Sequence, residues 1–321
     1  MYKWQKLGRV FNPEEITRGT WMKEYAQAPS VVIFEKFVRV YFCCRPLPDE
    51  KGQYVSYMAY VDLHRNNLFE ILEISEEPVL KLGELGTFDE FGTYPTSVIK
   101  VEEDIRVYYG SFARCESVPF NAAIGVAKSE DNGKTFWRLG PGPILSYSPD
   151  EPFVLGSPKI RKFGDTWYIW YCAGKKWVNV NGSKQPVYKI RMAESTDGLN
   201  WKKQGKDILE NVLEENECQA SADVIFANGK YHMFFSYRYN VDFKTKGRGY
   251  RIGYAHSTDL KNWIREDRKA GMEISSDGGW DSESVSYAHL FRMDDRIYML
   301  YQGNQMGKTG FGLAILEGDL Y

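Results

Sequence analysis

The chain has 321 residues, room for two ordinary domains or one large repeat-built domain. With 43% hydrophobic and 26% charged residues, its composition is that of a globular protein rather than a disordered one. Lys and Arg number 41 against 43 Asp and Glu, and the net charge of -2 excludes a broad electrostatic grip on nucleic acid or an acidic membrane.

In chain order, five strongly apolar and aromatic strands recur. They are Val38-Arg39-Val40-Tyr41-Phe42, Ile105-Arg106-Val107-Tyr108-Tyr109, Trp167-Tyr168-Ile169-Trp170-Tyr171, Tyr231-His232-Met233-Phe234-Phe235 and Ile297-Tyr298-Met299-Leu300-Tyr301. Their last residues are 67, 62, 64 and 66 residues apart. Upstream of each lies a segment that opens another strand: Pro29 to Ile33, Pro95 to Ile99, Pro158 to Ile160, Ala222 to Ile225 and Ala288 to Phe291. Gly and Asn in the turns between them, as in Ala227-Asn228-Gly229-Lys230, supply the positive φ of a tight hairpin.

A third strand follows in Ala122 to Ala127, Lys189 to Ala193 and Arg251 to Ala255. These run into Ser129-Glu130-Asp131-Asn132-Gly133-Lys134-Thr135-Phe136 and the shorter turns from Ser195 to Trp201 and from Ser257 to Trp263. The first has the spacing of an Asp box. Ser and Asp bond the turn backbone and the aromatic packs inward, so these boxes read as structural.

Five such units predict an all-β fold: a five-bladed β-propeller with antiparallel blades of three to four strands. The whole chain forms one domain, with blades near 20–80, 81–145, 146–210, 211–272 and 273–321, and the segment 1–19 supplying a closing strand to the last blade. The five cysteines, Cys43, Cys44, Cys115, Cys172 and Cys218, form no C-x-x-C pair, and the four histidines are scattered. No disulfide framework, metal site or cofactor is expected. The opening residues carry no apolar h-region and no apolar run approaches the ~18 residues of a membrane span, so a cytoplasmic protein with reduced thiols is expected.

The inner strands of a propeller converge on one axial funnel. Before them lie Glu24 and Gln27, Asp89 and Glu90, Asp150 and Glu151, Glu215, Glu217 and Asp223, and Asp281 and Glu283, at least one carboxylate per blade. Paired carboxylates are what glycoside cleavage needs, an acid for the leaving oxygen and a base or nucleophile opposite. Arg45, Arg114 and Arg238, with Lys175 and Lys176, end the second strands and are candidates to clamp an anionic group. Tyr94, Trp177 and His289 complete the candidate substrate contacts.

The repeat pattern resembles the five-bladed propellers of the arabinanase–invertase–levansucrase superfamily, glycoside hydrolase families 43 and 32 and their relatives. The marks are Gly86-Thr87-Phe88-Asp89-Glu90-Phe91-Gly92, the turn from Ser195 to Trp201, and Tyr301-Gln302-Gly303-Asn304 with Gly310-Phe311-Gly312. They look most like glycosidase-like propellers encoded among bacterial surface-polysaccharide genes. The resemblance implies an acid at Glu217, in a Glu-Cys pair, and the ring of carboxylates offers Asp89 or Glu283 as base or nucleophile. It also implies a first-blade Asp-Pro, where this chain has Ala28-Pro29. The expected function is cleavage of a glycosidic or sugar-phosphate bond of a small carbohydrate. Phosphorolysis and carbohydrate binding without turnover are the alternatives, and neither nucleic acid nor membrane is a partner.

Overall fold

The computed structural model describes residues 1–16, 19–245 and 247–321. The first strand, β1 (Trp4–Phe11), stands apart from the strands that follow it. Blade 1 contains β2 (Glu24–Ile33), β3 (Phe37–Arg45), β4 (Tyr57–His64) and β5 (Asn67–Ile74). Blade 2 contains β6 (Thr93–Val101) and β7 (Asp104–Ser111), then, after a small hairpin of β8 (Ala113–Arg114) and β9 (Phe120–Asn121), β10 (Ile124–Ser129) and β11 (Trp137–Arg138). Blade 3 contains β12 (Phe153–Phe163), β13 (Thr166–Val180), β14 (Ser183–Ser195) and β15 (Lys202–Lys203). Blade 4 contains β16 (Cys218–Ala227), β17 (Lys230–Arg238), β18 (Arg251–Ser257) and β19 (Ile264–Arg265). Blade 5 contains β20 (Ser286–Met293), β21 (Arg296–Gln302) and β22 (Phe311–Leu316), and β1 joins it as the fourth strand, antiparallel to β22.

The inner and second strands of each blade are buried on both faces because alternate residues serve different junctions, whereas the outermost strands, such as β5, are largely exposed. In β3, Val38, Val40 and Phe42 pack toward blade 5, whereas Tyr41 packs toward blade 2. Five wedge-shaped apolar clusters result, one at each junction around the ring. The Asp-box turns belong to these junctions. The Tyr41 hydroxyl donates to the Gly133 carbonyl (2.7 Å) and the Tyr108 hydroxyl to the Gly198 carbonyl (3.0 Å), each tying a strand to the turn of the next blade. Both glycines have positive φ, and an added Cβ on Gly133 would lie 2.0 Å from the Tyr41 hydroxyl.

The inner strands share one irregularity. Each breaks register near its middle, between Gln27 and Ser30, Pro95 and Ser97, Gly156 and Lys159, Ala220 and Asp223, and Ser286 and His289. Ala28, Ser157, Ser221 and Tyr287 occupy the bulges with φ of 52°, 49°, 51° and 55°. Pro95 stands at the matching place in blade 2, and its ring forbids that conformation, so that bulge is shorter.

Just past the bulges, a side chain of one blade accepts a backbone N–H of the next. Ser30 takes Val98 N–H (2.9 Å), Ser97 takes Ile160 N–H (3.0 Å), Asp223 takes Leu290 N–H (2.7 Å) and His289 Nε2 takes Val31 N–H (3.1 Å). Lys159 fills the place in blade 3 and has no lone pair to offer. There Asp223 accepts Val224 N–H of its own blade (3.0 Å). Asp223 is also held by Arg161 at 2.7 Å and stands 3.2 Å from His289.

Candidate functional site

A cavity of about 410 Å³ opens at the axis, the size of a small-molecule site. Its inner part is built on the bulges and their neighbours: Gln27, Tyr94, Gly156, Ser157, Ala220 and Tyr287. The loop before β4 adds Gln53 and Tyr54, the small hairpin of blade 2 adds Arg114 and Phe120, the third strand of blade 3 adds Tyr188, and Tyr250 stands just before the third strand of blade 4. Arg45 closes the blade 1 side, stacked 4.8 Å from Tyr25 and 5.2 Å from Tyr54.

Four of the expected contacts line this cavity: Gln27, Arg45, Tyr94 and Arg114. Arg114 is paired at the rim with Asp49 (3.0 Å), whereas Arg45 meets no carboxylate within ion-pair distance among the described residues. Glu24 stands behind the wall, accepting from the Tyr54 hydroxyl (2.8 Å) and paired with Lys308 (2.9 Å). Trp177 does not line the cavity but packs its ring on Phe120, 5.6 Å between centroids. His289 lies in the ring of interblade bonds, and burial among Lys159 and Arg161 holds its imidazole down to about 4, so it is neutral. Arg238 is buried behind Tyr188.

The carboxylates follow a different rule from the one expected of them. Asp89 is 0% exposed, accepts from the Tyr109 hydroxyl (2.9 Å) and is paired with Arg138 (2.7 Å) on the outermost strand of its blade. Glu151 accepts from Tyr171 (2.8 Å) and meets Lys203 on β15, and Asp281 accepts from Tyr301 (3.0 Å) and meets Lys6 on β1. Acid and tyrosine are 20 residues apart in all three blades. Blade 1 puts Met22 and Phe42 in these places, both fully buried in the apolar junction with blade 5.

In blade 4 the phenol is replaced by Phe235, and Glu217 finds other donors. Its Oε2 takes Val212 and Leu213 N–H (2.9 and 3.0 Å), and its Oε1 takes Gln219 (2.8 Å) and Arg265 on β19 (2.6 Å). Burial pushes the Glu217 carboxyl up, but Arg265 and Gln219 outweigh it and hold it below its ordinary value. Glu283 has an exposed side chain, and only its backbone is engaged, with Asn304 and Arg251. The expected convergence of Glu217, Asp89 and Glu283 on the axial funnel is therefore corrected: none of the three lines the cavity. Asp89, Glu151, Glu217 and Asp281 are instead held by a cation on the outermost strand of their own blades.

Among the described residues, the cavity lining contains no Asp, Glu, His or Lys. Ala28 leaves the expected first-blade position apolar, buried against Cys43, Tyr94, Tyr250 and Tyr287. Burial raises the hydroxyls of Tyr94, Tyr188, Tyr250 and Tyr287, so all four remain proton-bearing donors at neutral pH. The Cys172 thiol in the lining is pushed up to about 12 by burial and is not a thiolate nucleophile. Tyr188 and Tyr250 were within reach of sequence reading. Each directly precedes a basic residue and an isoleucine of a third strand, in Tyr188-Lys189-Ile190 and Tyr250-Arg251-Ile252.

No protein-family profile matches the chain. The uncharacterized proteins MT1551 and Rv1502 of Mycobacterium tuberculosis, strains CDC 1551 / Oshkosh and ATCC 25618 / H37Rv, are each 32% identical to it over 316 residues, covering 98% of this chain and 99% of theirs. The chain belongs to the family of these mycobacterial proteins. Among solved structures, a protein described as a glycoside hydrolase superposes with a TM-score of 0.75 at 17% identity, covering 99% of this chain and 93% of that one. Another is described as belonging to the GH130 family of mannoside phosphorylases, containing glycoside hydrolases that target β-1,2 mannosidic linkages in Candida mannan. It matches with a TM-score of 0.71 at 14% identity over 98% of this chain and 93% of that chain. The family fold is thus the five-bladed propeller found in glycoside hydrolases, here with an axial cavity walled by phenols and arginines.

Proposed function

We propose that the protein binds a small carbohydrate in its axial cavity without cleaving it by paired carboxylates. The carrying observation is the lining itself: Tyr54, Tyr94, Phe112, Phe120, Tyr188, Tyr250 and Tyr287 offer rings and hydroxyls to a sugar, and no carboxylate stands among them. The fold's neighbours support a carbohydrate as the ligand, and the free thiols suit a reducing compartment such as the cytoplasm. Thermal melts against a panel of mono- and disaccharides, nucleotide sugars and sugar phosphates test the reading. A rise in Tm with one class, with no product by mass spectrometry, is the expected result. Turnover abolished by Glu217→Gln in a stably folded variant would refute it.

A second reading is favoured by one observation. Glu24 touches the cavity wall through Tyr54, and the wall also carries Arg45 and Arg114, so a glycosidic bond held there would face a carboxylate-linked phenol and two cations. This is the enzymatic alternative, hydrolysis or phosphorolysis. The same panel with and without inorganic phosphate separates its two forms: phosphate-dependent product means phosphorolysis, and phosphate-independent product means hydrolysis.

A further inference from the structure

The cavity wall where blades 3 and 4 meet is backed by a charge that no carboxylate among the described residues neutralises. Arg238 ends β17 at 3% exposure. Its Nη1 donates to the Tyr239 and Asn240 carbonyls (2.8 and 3.2 Å) and its Nη2 to the Tyr188 hydroxyl (3.0 Å). Its Nε has no partner, and among the described residues the guanidinium meets no carboxylate within ion-pair distance. The Phe243 ring, 3.8 Å away, compensates only part of the cost of burying a full charge.

Arg238 is coupled to the cavity through two phenols. The Tyr188 hydroxyl accepts from Arg238 and is hydrogen-bonded to the Tyr250 hydroxyl, and both tyrosines line the cavity. This pair holds two O–H protons. One closes the bond between the phenols, and the other has no acceptor among the described residues. Nearby, Tyr287 and Ser157 form a second hydroxyl pair (3.1 Å). A wall with a spare donor, a buried cation behind it and no carboxylate in the lining is complementary to a group that only accepts hydrogen bonds and carries negative charge.

We infer that the carbohydrate bound in the cavity carries an oxyanion, and that this group is held at the Tyr188–Tyr250 pair with Arg238 behind it. The ligand class is a sugar bearing a phosphate, sulfate or carboxylate. The inference rests on the carbohydrate-binding reading and adds where its charge sits. Tyr188 and Tyr250 are the contacting residues, and Arg238 positions and polarises them.

Isothermal titration tests it with neutral hexoses, the corresponding hexose 6-phosphates, hexose 6-sulfates and hexuronates, and inorganic phosphate. The proteins are wild type, Tyr188→Phe and Tyr250→Phe, which lose only a hydroxyl, each checked for an intact fold by near-ultraviolet circular dichroism. At least one anionic series is expected to bind about tenfold or more tighter than its neutral parent, and each substitution to reduce that ratio about tenfold. The series showing the preference identifies the oxyanion. Equal binding of neutral and anionic sugars overturns the inference and leaves the carbohydrate reading standing. A ratio unmoved in both variants also overturns it and assigns the anion to Arg45 and Arg114. Failure of every sugar and of phosphate to bind defeats the carbohydrate reading as well.

Discussion

Replacing Glu217 by glutamine separates a structural acid from a catalytic one. The two carboxylate oxygens take four donors, and glutamine keeps an acceptor for only two of them. Its amide nitrogen would then face either the two backbone N–H groups or Arg265 and Gln219, donor against donor. Arg265 would retain Asp267 (2.9 Å) as its remaining counter-ion. Breaking a buried ion pair from one side costs about 3–5 kcal/mol, which in a domain of this size lowers Tm by roughly 5–12 °C. Calorimetric melts or urea unfolding measure it directly. The pH profile fixes the cause. The folded carboxyl sits below its ordinary 4.5, so its stabilisation is complete above that pH and is lost as pH falls through the folded value. The gap between wild type and variant should be constant from about pH 6 upward and close below pH 4.5. A variant that melts with wild type yet loses ligand turnover would refute the structural assignment.

Tyr301→Phe should cost about 1–2 kcal/mol in urea unfolding because Asp281 keeps Lys6, whereas Phe42→Tyr should also destabilise, its new hydroxyl meeting the apolar neighbourhood of Met22. Lys159→Met should stabilise at pH 7 by up to about 3 kcal/mol, since burial holds the ammonium down to about 8 from 10.5. Wild-type stability should accordingly rise between pH 8 and 10.5, as the folded state no longer has to hold the charge, and the variant should lack that rise in the same melts. Gly133→Ala, forced to a φ of +80° against Tyr41, should lower stability by roughly 2 kcal/mol or more, read by the same unfolding assay.

The propeller was legible because every blade needs an apolar second strand, and Val38 to Phe42 and its four successors announce one at nearly constant spacing. The cavity was less so, for a reason visible in Asp89 and Tyr94. The acid lies only five residues before the tyrosine, yet it turns to Tyr109 and Arg138 while the tyrosine faces the axis. Proximity along the chain cannot tell those directions apart. The recurrent separation of acid from phenol, and its replacement by Met22 and Phe42 in blade 1, was the sequence signal that these carboxylates belong to the blades. The sequence shows Arg238 as a cation at the end of a second strand, but its lack of a counter-ion among the described residues is a property of three dimensions. Neighbouring blades had to be assembled before it could be seen.

The closure of blade 5 by β1 also imposes an order on synthesis. Of the propeller's own strands, Trp4–Phe11 is translated first and its partner Phe311–Leu316 last. At ~5–20 residues per second, β1 waits about 15 to 60 s with its backbone unpaired and Val10 and Phe11 uncovered. Until β22 is made, the ring has two open ends with unpaired strand edges. A chain that stops short of Phe311 leaves β1 without its partner and the ring unclosed, with a strand edge exposed.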